Sequence, residues 1–242
     1  MFELYKNPIV WHKPLWIFIF CLAINFTKTP NYKDKHNICI FFKSLCHVCP
    51  CPFYRAIFQK FLSKHPIEKC LKRKKVDLLK YVIHLYNSFV VLCPYSPKIK
   101  NRETVENFLK MKCLERKKTT TTKSPYIWGY YTWLFLHCCS FAFPESATRN
   151  DENHYTVFIF SLSNLLPCHS CCVHMKEYLE KRPIYDYLDN REEFVAYLIQ
   201  MHNFINNNYK KSTSYTIRDA KKIIMENCRK EMNLNKKFPM FI

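Results

Sequence analysis

Cys168 and Cys171 are the residues whose type and spacing point most directly to chemistry. They stand two residues apart in Pro167-Cys168-His169-Ser170-Cys171, at a predicted helix start. Such a pair is either a redox-active disulfide or half of a metal site. No second Cys pair follows at zinc-finger spacing. We therefore predict a disulfide that exchanges electrons with thiols, and no bound metal.

Aromatic and imidazole side chains flank this pair on both sides. Trp133 and His137 precede it by about thirty residues, and His202 and Asn206 follow it by about thirty. Each couple is separated by four positions, so its members share one face of a helix. These faces could hold a planar cofactor against the two sulfur atoms.

The composition excludes several classes of protein. The 242 residues include one glycine, Gly129, whereas a Rossmann fingerprint or a phosphate-binding loop needs several. A nucleotide cofactor must therefore be held by side chains on helices. The formal charge of +19 comes without a regular basic-aromatic motif. We assign it to solvated helix faces and predict no specific nucleic-acid binding.

The apolar run from Leu15 to Phe26 resembles the core of an export signal. It is too short to span a bilayer, and no clean cleavage site of small residues follows it. We expect a buried helix here, with neither a signal peptide nor a membrane span.

Landmarks of the first half recur in the second half, which indicates an internal repeat. The separation is 117 positions, or 116 for the last pair: Trp11 and Trp128, Trp16 and Trp133, Pro50-Cys51 and Pro167-Cys168, Tyr86-Asn87 and His202-Asn203. We divide the chain into a first copy at residues 1–97, a basic linker at 98–124 and a second copy at 125–242.

The periodicity of the second copy predicts helices throughout. Apolar stripes and capping signals place them at 126–143, 154–166 and 168–181, from the capping box Asn190-x-x-Glu193, and from Thr216 to about Glu231. The predicted fold class is all-α, with two related bundles of four to five helices each.

Three motifs in this order resemble the Erv/ALR family of flavin-dependent sulfhydryl oxidases. They are Trp133-x-x-x-His137, Pro167-Cys168-x-x-Cys171 and His202-Asn203-x-x-Asn206, and the resemblance covers residues 128–222. A degenerate copy ahead of an active one, at this total length, is similar to the baculovirus-type viral enzymes.

The resemblance implies FAD as cofactor and the oxidation of thiols to disulfides, with O2 reduced to H2O2. Cys168 would take the mixed disulfide with the substrate, and Cys171 would leave as a thiolate stabilised by the helix N-terminus. Tyr209, Lys210 and Lys211 would meet the pyrophosphate. The implied FAD-binding residues are Gly129, Trp133, His137, His202, Asn203, Asn206, Tyr209 and Lys211.

Two departures from the family pattern matter. In the first copy Phe20, Tyr54 and Tyr86 stand where His137, Cys171 and His202 would, so we infer that this copy binds no flavin and carries out no chemistry. The family's second, structural disulfide is also missing, because Ile199 and Thr216 occupy its positions. Packing alone must therefore hold the second bundle.

A further pair two residues apart, Cys46 and Cys49, admits three interpretations. It is a pair of inert thiols, a second disulfide, or a metal site completed by Cys39, His47 or Cys51.

The resemblance implies protein thiols and O2 as partners, and a homodimer. It also implies a location in the nucleus or cytoplasm of an infected host cell and in the virion. One rival hypothesis is a basic, zinc-stabilised nucleic-acid-binding protein that uses Cys46, Cys49, Cys168 and Cys171 as ligands. Another is a structural protein with an inactive oxidase fold. The second copy keeps both cysteines and both histidines, which argues against the latter.

Overall fold

The computed structural model describes residues 3–90, 97–116, 121–209 and 214–236, and within these ranges the regular structure is entirely helical. The first half contains α1 (Pro8–Asn25), α2 (Tyr32–Val48), α3 (Pro52–Lys64), α4 (Ile67–Leu71), α5 (Leu78–Phe89) and α6 (Arg102–Arg116). The second contains α7 (Pro125–Phe141), α8 (Arg149–Leu165), α9 (His169–Lys181), α10 (Arg191–Asn208) and α11 (Ile217–Lys236). Short 3-10 helices occupy Leu4–Lys6 and Ile184–Tyr187. The prediction of an all-α fold is confirmed.

The helices repeat with the separation found in the sequence. α1 and α7 begin 117 residues apart, and α2 and α8, like α3 and α9, both begin and end 117 apart. Local signals repeat as well, because Asn31 with Asp34 and Thr148 with Asp151 form capping boxes at the starts of α2 and α8. Equivalent stop and start signals therefore set equivalent helices in the two halves.

The segment predicted as a linker contains helix α6. Its apolar side chains Val105, Phe108 and Leu109 are buried, and the ring of Phe108 lies 6.0 Å from that of Phe20 in α1. The helix therefore packs on the body of the protein. The domain bounds at residues 97 and 124 stay a prediction.

The two halves share one hydrophobic core. α1 packs along α7, and α2 packs along α8. Phe41 of α2 stacks on Phe158 of α8 with ring centroids 5.7 Å apart, and the hydroxyl of Tyr155 in α8 donates to the carbonyl of Val48 at the end of α2. Burying each of these phenylalanines contributes about 1.5–3 kcal/mol, so the contact between halves is a main source of stability.

Helix α1 contains most of the apolar run that resembles an export signal. It is long and apolar enough to cross a membrane, yet 72% of that stretch is buried inside the protein. Trp11, Trp16 and Phe20 are fully buried, and the Trp11 ring lies 5.9 Å from that of Phe135 in the second half. The expected buried helix is therefore present.

Candidate active site

A cavity of about 580 Å³ lies between α7, α9, α10 and α11 in the second half. The predicted site residues that line it come from three helices and from the residue that ends α10: Gly129, Trp133, His137, Cys168, Cys171, His202, Asn206 and Tyr209. Residues separated by up to eighty positions thus surround one space. Of the remaining two, Asn203 does not belong to this lining, and Lys211 lies outside the described residues.

Three rings form a stack on one wall of the cavity. The imidazole of His202 lies between the indole of Trp133, at 4.1 Å and 11° between planes, and the ring of Tyr215, at 4.3 Å and 23°. The sequence analysis did not select Tyr215. It follows α10 in a loop and belongs to no periodic pattern, so only the folded chain shows that it joins this stack.

His137 and His202 connect α7 to α10. Nε2 of His137 lies 3.2 Å from Nδ1 of His202, and both side chains are buried. Desolvation by burial lowers the pKa of His137 to about 4, so its imidazole is neutral at physiological pH. Nδ1 of His137 has no hydrogen-bond partner within the described residues, which leaves one buried polar atom at the cavity for a ligand.

The two active-site sulfur atoms have different surroundings. Cys168 caps the N-terminus of α9, and its Sγ accepts the Cys171 backbone N–H at 3.4 Å. Burial raises the pKa of Cys168, but hydrogen bonds from Cys171, Ser170 and Tyr209 outweigh this and lower it overall. Cys171 is 5% exposed, and burial raises its pKa to about 12. In the described structure the hydrogen bonds at the helix start go to Cys168, and the stabilisation of a Cys171 thiolate by this helix start stays a prediction.

Tyr209 lies at the sulfur pair, and its predicted contact with a pyrophosphate stays a prediction. Its hydroxyl oxygen is 3.1 Å from Cys171 Sγ, 3.0 Å from Ser170 Oγ and 3.7 Å from Cys168 Sγ. Ser170 Oγ is in turn 3.1 Å from Cys168 Sγ. The sequence analysis did not select Ser170, although its position inside the Cys-x-x-Cys motif could have indicated it.

Asn203 stabilises a loop instead of facing the cavity. Its side-chain amide donates to the carbonyl of Tyr215 at 2.9 Å and accepts the Tyr215 backbone N–H at 2.6 Å. Asn87 in the first half makes the same two bonds to Ile99, at 2.7 and 3.1 Å. The first half thus keeps this asparagine without keeping the redox pair, which supports a structural role for Asn203, and its role as a cofactor ligand stays a prediction.

Gly129 lines the cavity on α7 and precedes Trp133 by one turn. A Cβ atom at this position would meet Pro125 Cβ at 3.7 Å, an ordinary van der Waals contact, and no other protein atom outside its own helix within 4 Å. The fold itself therefore does not require glycine here. The missing side chain instead leaves open space in the cavity.

In the first half, aromatic side chains fill the position equivalent to the cavity. Tyr54, which replaces Cys171, stacks on Phe89 with ring centroids 4.5 Å apart and hydrogen-bonds His12. Tyr86, which replaces His202, packs edge-on against Trp16 at 5.1 Å. Each of these aromatic residues is at most 2% exposed. The packing supports our inference that this copy binds no flavin, which stays a prediction.

The pair Cys46 and Cys49 lies at the end of α2. Cys46 Sγ donates to the Lys43 carbonyl at 2.9 Å, and burial raises the pKa of Cys46 to about 11 and that of fully buried Cys49 further. These are properties of inert thiols. Within the described ranges, no three or more His, Cys, Asp or Glu side chains are close enough to hold a metal. The zinc site of the rival hypothesis therefore has no geometric support.

In the second half of the chain, the Cys-x-x-Cys pair lies at the same cavity as the stacked rings of Trp133 and His202. Residues 130–229 match the model of the Erv1 / Alr family. This match confirms the resemblance that the motifs indicate in the second half of the chain.

Three curated relatives are similar to the same region. The chain is 36% identical over 84 residues to a probable FAD-linked sulfhydryl oxidase of Acanthamoeba polyphaga mimivirus, covering 34% of this chain and 59% of that protein. It is 30% identical over 78 residues to a mitochondrial FAD-linked sulfhydryl oxidase of Schizosaccharomyces pombe, covering 32% and 43%. It is 26% identical over 82 residues to a putative FAD-linked sulfhydryl oxidase of invertebrate iridescent virus 3, covering 34% and 55%. The alignments thus span about half the length of these relatives, and no solved structure matches.

Proposed function

We propose that this protein is an FAD-dependent sulfhydryl oxidase that forms disulfides from protein thiols and reduces O2 to H2O2. The observation that carries the proposal is the convergence of Cys168 and Cys171 with Trp133, His137 and His202 on one cavity. The names of the three relatives agree with it.

The residues of the cavity fit a flavin. Trp133 supplies a flat ring at the cavity, stacked on His202, and His137 supplies a buried nitrogen without a partner within the described residues. Asn206, only 3% exposed, adds an amide to the lining, and Gly129 leaves room for a ligand. When bound, FAD would accept two electrons from the dithiol and pass them to O2. Neutral His137 adds no positive charge to this pocket.

The protein's own residues carry out the thiol exchange. Cys168 is partly exposed at the start of α9, so a substrate thiolate can reach its sulfur when the pair is oxidised. A bond forms between the substrate sulfur and Cys168 Sγ, the Cys168–Cys171 bond breaks, and its electron pair leaves with Cys171. A second substrate thiolate then attacks the substrate sulfur, which releases the substrate disulfide and leaves Cys168 as a thiolate. The cavity encloses Cys171 while this occurs.

Thiols and O2 are the substrates that the family implies. We extend the proposal to a homodimer, and to action in the nucleus or cytoplasm of an infected cell and in the virion. The resemblance to baculovirus-type enzymes supports these points, as does the viral source of two of the relatives.

The proposal is tested by the absorption spectrum of the purified protein and by its O2 consumption with dithiothreitol. Wild type is expected to show a flavin band and to consume O2. Cys171→Ser is expected to keep the band, because the ring stack is intact, and to lose O2 consumption. Cys70→Ser, a half-buried thiol of the first half, is the matched control and keeps both. A colourless protein with stoichiometric zinc would contradict the proposal.

A further inference from the structure

The hydroxyl of Tyr209 contacts the active-site sulfur atoms. It lies 3.1 Å from Cys171 Sγ, although 38 residues separate the two in sequence. Ser170, inside the Cys-x-x-Cys motif, lies 3.0 Å from the same hydroxyl and 3.1 Å from Cys168 Sγ. The two hydroxyl groups thus form a continuous path from one sulfur to the other.

The surroundings of Tyr209 hold its hydroxyl in this position. The residue ends α10, and its ring packs edge-on against His174 of α9 at 5.3 Å. When the sulfur pair is oxidised, Cys168 carries no negative charge, so the single Ser170 proton can be donated to the Tyr209 oxygen instead of to Cys168. Tyr209 has a single hydroxyl proton, which then points to a sulfur.

We propose that Tyr209 is a catalytic residue that donates a hydrogen bond to the Cys171 sulfur as this sulfur leaves the disulfide. The inference rests on the proposed function for the identity of the reaction. It assigns Tyr209 to the sulfur chemistry instead of to cofactor binding, and it assigns Ser170 the task of orienting the Tyr209 hydroxyl.

The step balances without a proton transfer. A thiolate forms a bond to Cys168 Sγ, the Cys168–Cys171 bond breaks, and the electron pair goes to Cys171 Sγ. The Cys171 sulfur is reduced to a thiolate, and the attacking thiol is oxidised to the mixed disulfide. Tyr209 keeps its proton and donates it as a hydrogen bond to the new negative charge, which is stronger than a bond between neutral groups.

Charge on Cys171 needs this assistance because its site disfavours anions. Burial acts most strongly and raises the pKa of Cys171, while neighbouring Cys168 and Cys172 raise it further and the Tyr209 hydroxyl lowers it. Burial also raises the pKa of Tyr209 well above its usual range, so its hydroxyl stays protonated at neutral pH. Tyr209 therefore acts as a donor and never as a base.

The test compares Tyr209→Phe with wild type by the rate at which dithiothreitol reduces the Cys168–Cys171 disulfide with O2 excluded. Phenylalanine keeps the ring that packs on His174 and removes only the hydroxyl. The rate is expected to fall about threefold to tenfold, because a hydrogen bond to the leaving sulfur is lost. Tyr185→Phe, which alters a 63% exposed tyrosine, is the matched control.

A second readout follows the alkylation of Cys171 in the reduced protein across a range of pH, located by mass spectrometry. The thiolate fraction of Cys171 at a given pH is expected to fall about tenfold in Tyr209→Phe, which corresponds to one pKa unit. A purely structural role for Tyr209 would not move this profile. Unchanged reduction and alkylation rates would overturn the inference.

Both measurements use thiol chemistry alone and need no bound flavin. If wild type lacks the flavin band and consumes no O2, the proposed function fails, while the effect of Tyr209 on Cys171 is still measured. If wild type is an active oxidase and Tyr209→Phe reacts at the wild-type rate, only the inference about Tyr209 fails.

Discussion

At the scale of single residues, the two active-site cysteines differ because one caps a helix and the other is enclosed by the cavity. Cys168 accepts hydrogen bonds at the start of α9, and the pKa of its thiol is lowered. Cys171 is buried, and its pKa is raised to about 12. The thiolate of the reduced pair therefore forms first on Cys168, whereas charge on Cys171 depends on local donors such as Tyr209.

A prediction at this scale concerns the two equivalent asparagines. Asn203→Ala and Asn87→Ala each remove a side chain that bonds both backbone groups of a loop residue. Each substitution is expected to lower the free energy of unfolding by about 1–3 kcal/mol, because backbone groups lose their partners. Urea denaturation measures the loss.

The same pair of variants separates a structural role from a ligand role. Flavin content per folded molecule is expected to stay near the wild-type value in Asn87→Ala, because Asn87 lies in the half that lacks the Cys168–Cys171 pair. Loss of flavin from Asn203→Ala, without loss of stability, would show that Asn203 contacts the cofactor directly.

At the scale of helices, the site depends on α7 and α10 presenting the correct faces to each other. Trp133 and His137 are one turn apart on α7, and His202 and Asn206 are one turn apart on α10. The contact between His137 and His202 fixes the rotation of one helix relative to the other. Cys168 and Cys171 lie at the N-terminus of α9 and line the same cavity. Rotating any of these helices would remove its side chains from the cavity.

A prediction at this scale concerns the packing of α2 on α8. Phe41→Ala removes a fully buried ring that stacks on Phe158 across the two halves. The free energy of unfolding is expected to fall by about 3–5 kcal/mol, because the lost contacts leave a cavity. Phe53→Ala, which removes a 63% exposed ring from α3, is the control and is expected to change it by less than about 0.5 kcal/mol. Thermal unfolding measures both variants, and an equal loss of the free energy of unfolding in Phe41→Ala and Phe53→Ala would contradict the packing of α2 on α8.

At the scale of the whole molecule, two similar halves use the same helix arrangement for different purposes. The second half leaves a cavity of about 580 Å³ beside its sulfur pair. The first half fills the equivalent place with rings such as Tyr54 and Tyr86, and its α1 and α2 cover α7 and α8. The first half thus contributes packing surface, on which the position of the active-site helices depends.

A prediction for the whole molecule concerns its stability in acid. Burial lowers the pKa of His12 to about 3 and that of His137 to about 4, against 6.5 when unfolded. Below pH 6.5 the unfolded chain binds protons that the native chain does not, so stability is complete above this pH and falls as the pH decreases toward 4. For each of these two histidines, the free energy of unfolding is expected to be about 2 kcal/mol lower at pH 5 than at pH 7.

Urea denaturation at the two pH values checks this prediction. In His12→Gln, the difference in the free energy of unfolding between pH 7 and pH 5 is expected to be about 2 kcal/mol smaller than in wild type. The reason is that glutamine binds no proton when the chain unfolds. His36→Gln, at an exposed histidine of α2, is the control. A difference that is the same in wild type and His12→Gln would show that His12 is not neutral in the folded protein.

The sequence alone determined the helical class of the fold, the repeat and eight of the residues that line the cavity. Helical periodicity and prolines are local signals, so they predicted α9 and the end of α8 to within one residue. The start of α8 was predicted at residue 154 instead of Arg149, because the capping box of Thr148 and Asp151 was not recognised. The spacing of four residues put Trp133 with His137, and His202 with Asn206, on common helix faces. The Cys-x-x-Cys motif is also a local pattern, so it identified Cys168 and Cys171 as the reacting residues.

Only the tertiary structure decided which groups meet across helices. Tyr209 reaches Cys171, Tyr215 stacks on His202 and Asn203 bonds a loop because separate elements converge, and no local pattern encodes these contacts. The burial of a side chain likewise depends on every element that packs around it. The raised pKa of Cys171 could therefore not be predicted from the position of Cys171 near a helix start. The buried rings of Tyr54 and Tyr86 stand where the second half has Cys171 and His202, and only the folded chain shows that they fill the place equivalent to the cavity.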